Sequence, residues 1–201
     1  MSRLISGERE LPHRVLLQRA AQSAHGLRAL GVGKGHAVAL MLRNDFAFFE
    51  ASLAAGMIGA YATPINWHFT AEEASHIIGD SGARALLVHS DLWPRMAHGV
   101  PAGVQVFLVP TPREIRTAYH LPESATALAS PGVRVWDNWV ASQPPLAAIA
   151  PVSPGSMIYT SGTTGRPKGV RREPATPEQQ ATSMTLAAKT LGLRPGEERS
   201  F

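Results

Sequence analysis

Helical stripes and short apolar runs take turns along residues 11–109, and few folds tolerate that order. Leu16, Ala20, Ala24 and Leu27 recur at helical spacing, Leu30 extends the stripe, and Gly31 supplies a C-terminal stop. Residues 37–42 are then apolar with no period of their own, as a strand covered on both faces reads. Asn44 or Asp45 can cap a second helix through about Gly59, and residues 60–65 read as a strand. Thr70 with Glu73 three residues later fits a capping box that opens a third helix to about Gly79. Residues 85–88 form the next buried strand, 91–98 a short helix, and 104–109 a further strand between Pro101 and Pro110. This alternation predicts an α/β fold in which helices are layered on a largely parallel sheet.

From 101 to 154 the pattern weakens. Nine of the 16 prolines fall there, so beyond the 104–109 strand the segment reads as a surface connection with a little local structure, in which only 133–136 resembles a strand, with Trp136 and Trp139 as local core beneath it. The expected organisation is a first α/β subdomain over 1–150, proline-rich after about 101, and a second over 151–201. The second begins with a strand at 156–160 and contains a helix from 177 to about 191. Met1 reads as a natural start and Phe201 does not read as a natural finish, so the second subdomain is expected to be incomplete.

The chain of 201 residues is 44% hydrophobic and 17% charged, enough for a real core without staples. The absence of cysteine rules out disulfides and thiolate metal sites. The net charge of +4 is scattered, Arg171-Arg172 being the one basic doublet, which argues for a solvated surface and against nucleic acid as a partner. Residues 1–11 contain no hydrophobic signal core. The charge-free stretch 51–71 is interrupted by Gly56, Gly59, Pro64, Asn66 and His68, so a buried helix and strand are expected there rather than an integral membrane segment. A cytoplasmic location follows as an expectation. The eight histidines include no HExxH and no tight cluster with carboxylates, so no metal site of the chain's own is expected.

The chemistry concentrates in Ser161-Gly-Thr-Thr-Gly-Arg-Pro-Lys-Gly169, which places three hydroxyls, three glycines and one lysine within nine residues. Glycines let successive backbone N–H groups converge on an anion, and the hydroxyls of Ser161, Thr163 and Thr164 add donors without bulk. Lys168 adds a compact mobile charge, conspicuous in a chain with 16 Arg and three Lys. The spacing differs from the P-loop of nucleotide triphosphatases, because Gly162 is followed five residues later by Pro167. The bland alternative is a flexible Gly/Thr-rich surface loop.

The whole run Tyr159-Thr-Ser-Gly-Thr-Thr-Gly-Arg-Pro-Lys-Gly169 resembles the phosphate-loop signature of the AMP-forming adenylating enzymes, the superfamily of acyl-CoA synthetases, peptide-synthetase adenylation domains and beetle luciferases. Residues 28–44 resemble the opening region of acyl-CoA synthetases, and Ile65-Asn-Trp-His-Phe-Thr70 is similar to bacterial fatty-acid-type CoA ligases. The likeness covers most of 11–109 and 154–192. It implies the layered α/β sheets of the amino-terminal domain of such enzymes and a two-step reaction. ATP, with Mg²⁺, and a fatty or related carboxylic acid give an acyl-adenylate and pyrophosphate, and coenzyme A then takes the acyl group.

By the same resemblance Thr160, Ser161, Gly162, Thr163, Thr164, Gly165 and Lys168 would hold the β- and γ-phosphates, with Lys168 the catalytic charge, on a loop between a strand and a helix. The family's later adenine, ribose and Mg²⁺ motifs and its mobile C-terminal domain would lie beyond residue 201, so the chain alone is expected to be inactive. Where the family often carries a histidine after the loop, Val170 is followed here by Arg171-Arg172-Glu173-Pro174. Trp67, His68 and Phe69 read as core packing or, in the family fold, as a tunnel lining. Two other readings stay open: a non-catalytic phosphate-binding module, and an adenylation fragment with another acyl acceptor.

Overall fold

Both faces of the central strands are buried because the chain delivers helices to each side in turn. The structure, a computed structural model, describes residues 2–126, 132–148, 153–160, 167–171, 176, 178–179, 181–182 and 185–186. An antiparallel hairpin of β1 (Arg3–Ser6) and β2 (Arg9–Pro12) leads directly into α1 (His13–Ala29). There follow β3 (Ala37–Met41), α2 (Phe46–Met57), β4 (Tyr61–Pro64), α3 (Ala71–Asp80) and β5 (Ala83–His89). The sheet is completed through α4 (Trp93–Met96), β6 (Gln105–Val109), α5 (Arg113–Ala118) and β7 (Arg134–Val135), with α6 (Trp136–Ala141) beyond it.

Five parallel strands lie in the order β4-β3-β5-β6-β7. The crossover through α2 runs to one side of β3 and the crossover through α3 runs to the other. Right-handed connections of opposite direction put their helices on opposite faces. Val38, Leu40, Ala85, Leu87 and Phe107 accordingly face α1, α2 and α6, whereas Ala39, Met41, Leu86, Val88 and Leu108 face α3 and α4. The expected α/β class with a parallel sheet is thus observed.

Local chemistry sets the helix ends. Gly31, at φ +81°, lies just past α1, in the left-handed region that a side chain resists. Asp45 opens α2 by accepting the Phe46 N–H at 2.7 Å. At α3 the capping box is complete: Glu73 N–H donates to Thr70 Oγ1 at 3.3 Å, and Thr70 N–H donates to Glu73 Oε2 at 2.8 Å. Thr70→Ala should therefore lower unfolding free energy by about 1 kcal/mol, read as a shifted urea midpoint with an unchanged slope.

Three expectations need correction. The 133–136 strand ends at Val135, and Trp136 starts a helix instead. The proline-rich segment holds more regular structure than expected, since α5 and α6 fold within it, whereas Trp136 is core as expected, fully buried and edge-on to Phe107 at 5.4 Å between centroids. Tertiary contact with Phe107 decides that conformation; local propensity does not. Residues 3–12, given no structure from sequence, form the β1–β2 hairpin. Trp67 and Phe69 pack against the core on the α3 face, in line with the packing reading. Of the helix expected from 177, residues 178–179, 181–182 and 185–186 are helical, opened by reciprocal Thr176–Gln179 bonds of 2.9 and 3.2 Å; the rest lies outside the described residues.

Candidate functional site

The glycine- and hydroxyl-rich run is framed by two short strands, β8 (Ile158–Thr160) and β9 (Lys168–Val170), which pair antiparallel. The expected placement between a strand and a helix is thereby corrected: Lys168 and Gly169 are strand residues, and the run connects the two arms of a hairpin. Glycine and lysine are poor strand formers, so pairing with β8 rather than propensity makes β9 a strand. The register sets Thr160 opposite Lys168, Tyr159 opposite Gly169 and Ile158 opposite Val170. Thr160 and Lys168 are both exposed at the mouth of the hairpin. Ser161, Gly162, Thr163, Thr164 and Gly165 lie outside the described residues.

The hairpin docks on the edge of the main sheet. Met157 N–H donates to Ala62 O at 2.8 Å, and Ala62 N–H donates to Gly155 O at 3.2 Å, so the approach to β8 continues the sheet past β4. The C-terminal half of α3 and its cap make further attachments. Tyr159 Oη donates to Asp80 Oδ2 at 2.5 Å, His76 Nε2–H to Pro167 O at 3.2 Å, and an Arg171 guanidinium N–H to Ser81 O at 3.2 Å. Burial and the neighbouring Asp80 carboxylate push the Tyr159 hydroxyl well above the usual phenol value, so it stays a donor at any working pH. Its ring lies across Gly169, where an added Cβ would fall 2.6 Å from Tyr159 Cζ; only glycine fits under it.

Sequence reasoning missed His76, Asp80 and this use of Tyr159. One signal was available: an acidic residue closing a helix faces the negative end of the helix dipole, so Asp80 needs a specific partner. Arg171, read as solvated, is exposed but bonded, and Arg172 lies outside the described residues.

A second polar cluster sits beyond the carboxyl ends of β3 and β5, where strand order reverses. Such a crevice is a common ligand position in open α/β sheets, but here its charges are matched internally. Arg43, 6% exposed, makes a bidentate pair with Asp91 at 2.9 and 2.8 Å and packs against both rings of the edge-on Trp67–Tyr119 pair, 4.6 and 4.7 Å from their centroids. His89 Nδ1 accepts the Arg43 N–H at 3.1 Å, and Nε2–H points at Asp45 Oδ2, 3.4 Å away. Burial pushes the Asp45 carboxyl up, but hydrogen bonds from His89 and Arg9 outweigh it and hold the group below its ordinary value.

Nearby, a cleft of about 920 Å³ is lined by the β1–β2 hairpin, the start of α2 and α5. Its Arg9 pairs with Asp45 and Glu114, its Arg19 with Glu50 and Asp137. No residue of the β8–β9 hairpin lines it. Among the described residues no group of three metal-ligating side chains occurs, and no helix is long and apolar enough to cross a membrane.

Comparison with known proteins gives a consistent family. The sequence model of the AMP-binding enzymes matches residues 2–196. A fatty acid–[acyl-carrier-protein] ligase of Streptomyces coeruleorubidus is 30% identical over 162 residues, 81% of this chain and 28% of that protein. A 3-hydroxybenzoate–CoA ligase of Aromatoleum sp. (strain CIB) is 26% identical over 200 residues, 96% of this chain and 34% of that protein. The fold matches the crystal structure of a Brucella canis acyl-CoA synthetase with a TM-score of 0.72 at 22% identity, covering 97% of this chain and 34% of that one. The chain thus spans about a third of the length of the proteins it matches.

Proposed function

This chain belongs to the AMP-binding enzyme family, and from that premise we propose that it supplies the phosphate-binding part of an ATP-dependent, AMP-forming ligase. The enzyme activates a fatty or related carboxylic acid as an acyl-adenylate and passes it to the thiol of coenzyme A. The observation that carries the reading is the pairing of Thr160 with Lys168, which brings a hydroxyl and an ammonium to one mouth at the two ends of the Ser161–Arg166 run. In the reaction Ser161, Gly162, Thr163, Thr164 and Gly165 offer donors to the β- and γ-phosphates, and Lys168 draws off charge as pyrophosphate leaves. Stabilisation of this kind is electrostatic, so positioned donors matter more than covalent chemistry. Mg²⁺ enters with the triphosphate as part of the substrate.

A carrier-protein thiol is the second acceptor to consider, because the Streptomyces relative is named for transfer to acyl carrier protein. The test is acid-dependent ATP–pyrophosphate exchange by the full-length protein with Mg²⁺ and a panel of fatty and aromatic acids, followed by thioester formation with coenzyme A or acyl carrier protein. Exchange stimulated by an acid is expected, and its absence across the panel overturns the reading. The 201 residues alone should not form thioester, since positioning by the remaining pockets supplies about 7–11 kcal/mol of barrier reduction; sustained turnover by them overturns that part.

A further inference from the structure

The two arms of the hairpin are held unequally. The β8 arm continues from main-chain bonds to the sheet edge at Ala62. The β9 arm, which carries Lys168, pairs with β8 and is bound to the body by His76 on Pro167 O and by Arg171 on Ser81 O. The height of Lys168 above the sheet therefore depends on side-chain bonds between this arm and the C-terminal half of α3 with its cap. Asp80 fixes the Tyr159 hydroxyl, the Tyr159 ring lies against Gly169, and Gly169 is the residue next to Lys168, so the Asp80 contact also reaches the β9 arm. His76 is half-buried and Asp80 exposed, neither fills the core, and an acid at that helix end opposes the dipole. Helix stability alone does not account for these two side chains.

We propose that His76 and Asp80 are positioning residues for the phosphate site: they hold the β8–β9 hairpin at two points so that Thr160 and Lys168 keep a fixed place relative to the parallel sheet. This rests on the ligase reading given above. A charge that must be held to a fraction of an ångström of its productive position beside a departing phosphate loses most of its effect when its support is loose.

The test uses the full-length protein and the variants Asp80→Ala, Asp80→Asn, His76→Ala and His76→Gln. Each alanine variant should raise KM for ATP or lower kcat in pyrophosphate exchange by about 3- to 10-fold, the scale of one hydrogen bond. Amide hydrogen exchange should quicken at 158–160 and 168–170 while staying unchanged in β3 and β5. Asparagine keeps an acceptor for Tyr159 Oη and glutamine keeps a donor for Pro167 O, so these variants should return to within about twofold of wild type. Wild-type kinetics and hairpin exchange in the alanine variants overturn the proposal. Faster exchange throughout the sheet, with no rescue by Asn or Gln, also overturns it, because the role is then structural. A wild-type protein without acid-dependent exchange activity sinks the ligase reading itself, an outcome distinct from active enzyme with indifferent variants.

Discussion

Lys168→Ala should slow acyl-adenylate formation by on the order of 10²–10³, as when one preorganised transition-state donor is removed. The side chain is exposed at the end of a three-residue strand, so its loss leaves the core untouched and the melting temperature should hardly move. Lys168→Arg should recover only part of the rate, because a planar fork cannot replace a compact point charge opposite Thr160. Pyrophosphate exchange and thermal melting, recorded for both variants of the full-length protein, separate the possibilities. Wild-type exchange by Lys168→Ala would leave the lysine without a role in the reaction, and a large fall in stability would make that role architectural.

The largest effect on stability is expected at Asp91. Its carboxylate takes both guanidinium arms of Arg43 and the Thr111 hydroxyl, and Arg43 and Asp91 side chains are each 6% exposed. Asp91→Ala leaves a guanidinium buried against the Trp67–Tyr119 ring pair without its counter-charge, a change that removes about 3–5 kcal/mol. The double variant Arg43→Met with Asp91→Leu should recover much of the loss, since apolar groups of similar volume often replace a buried pair without penalty. Urea unfolding of the three proteins decides it; equal stability of Asp91→Ala and wild type would mean that water reaches the pair.

The same pair sets an acid limit. Burial pushes the Asp91 carboxyl up, but bonds from Arg43 and Thr111 outweigh it, and its folded value lies below the ordinary 3.8. A lowered folded value means the stabilisation is fully present above the ordinary value and is lost as pH falls through the folded one. Asp45 follows the same sign. Unfolding free energy should therefore be flat near neutrality and fall below about pH 4, with a shallower acid limb in Asp91→Ala.

What was legible in the sequence was local. Thr70 and Glu73, three apart, announce a cap that forms through their own backbone, and Gly31 marks a helix end by its own φ. The two-faced burial of residues 37–41 was readable because helices on both sides erase the strand period. Trp136 was legible as core but not as a helix start, because its neighbours Phe107 and Glu50 lie 29 and 86 residues away, and Trp136 Nε1–H donates to a Glu50 carboxylate that is itself buried. The β1–β2 hairpin escaped notice because each residue on it is at least partly exposed, leaving no apolar alternation to see. At the candidate site the composition of 161–169 was plain, whereas its setting in a hairpin was not. Tyr159 and Asp80 are 79 residues apart, and no spacing rule connects them.

That separation has a kinetic consequence. The bonds that fasten the hairpin to α3 join residues 79, 90 and 91 positions apart, whereas each crossover of the sheet closes over a few tens of residues. Contacts between remote segments form late because the chain must lose loop entropy before they return any stabilisation. The hairpin also needs the end of α3 and the edge of β4 as finished surfaces. During synthesis the parallel sheet can therefore assemble from its own local crossovers first, and Lys168 reaches its place only when that body already exists to receive it.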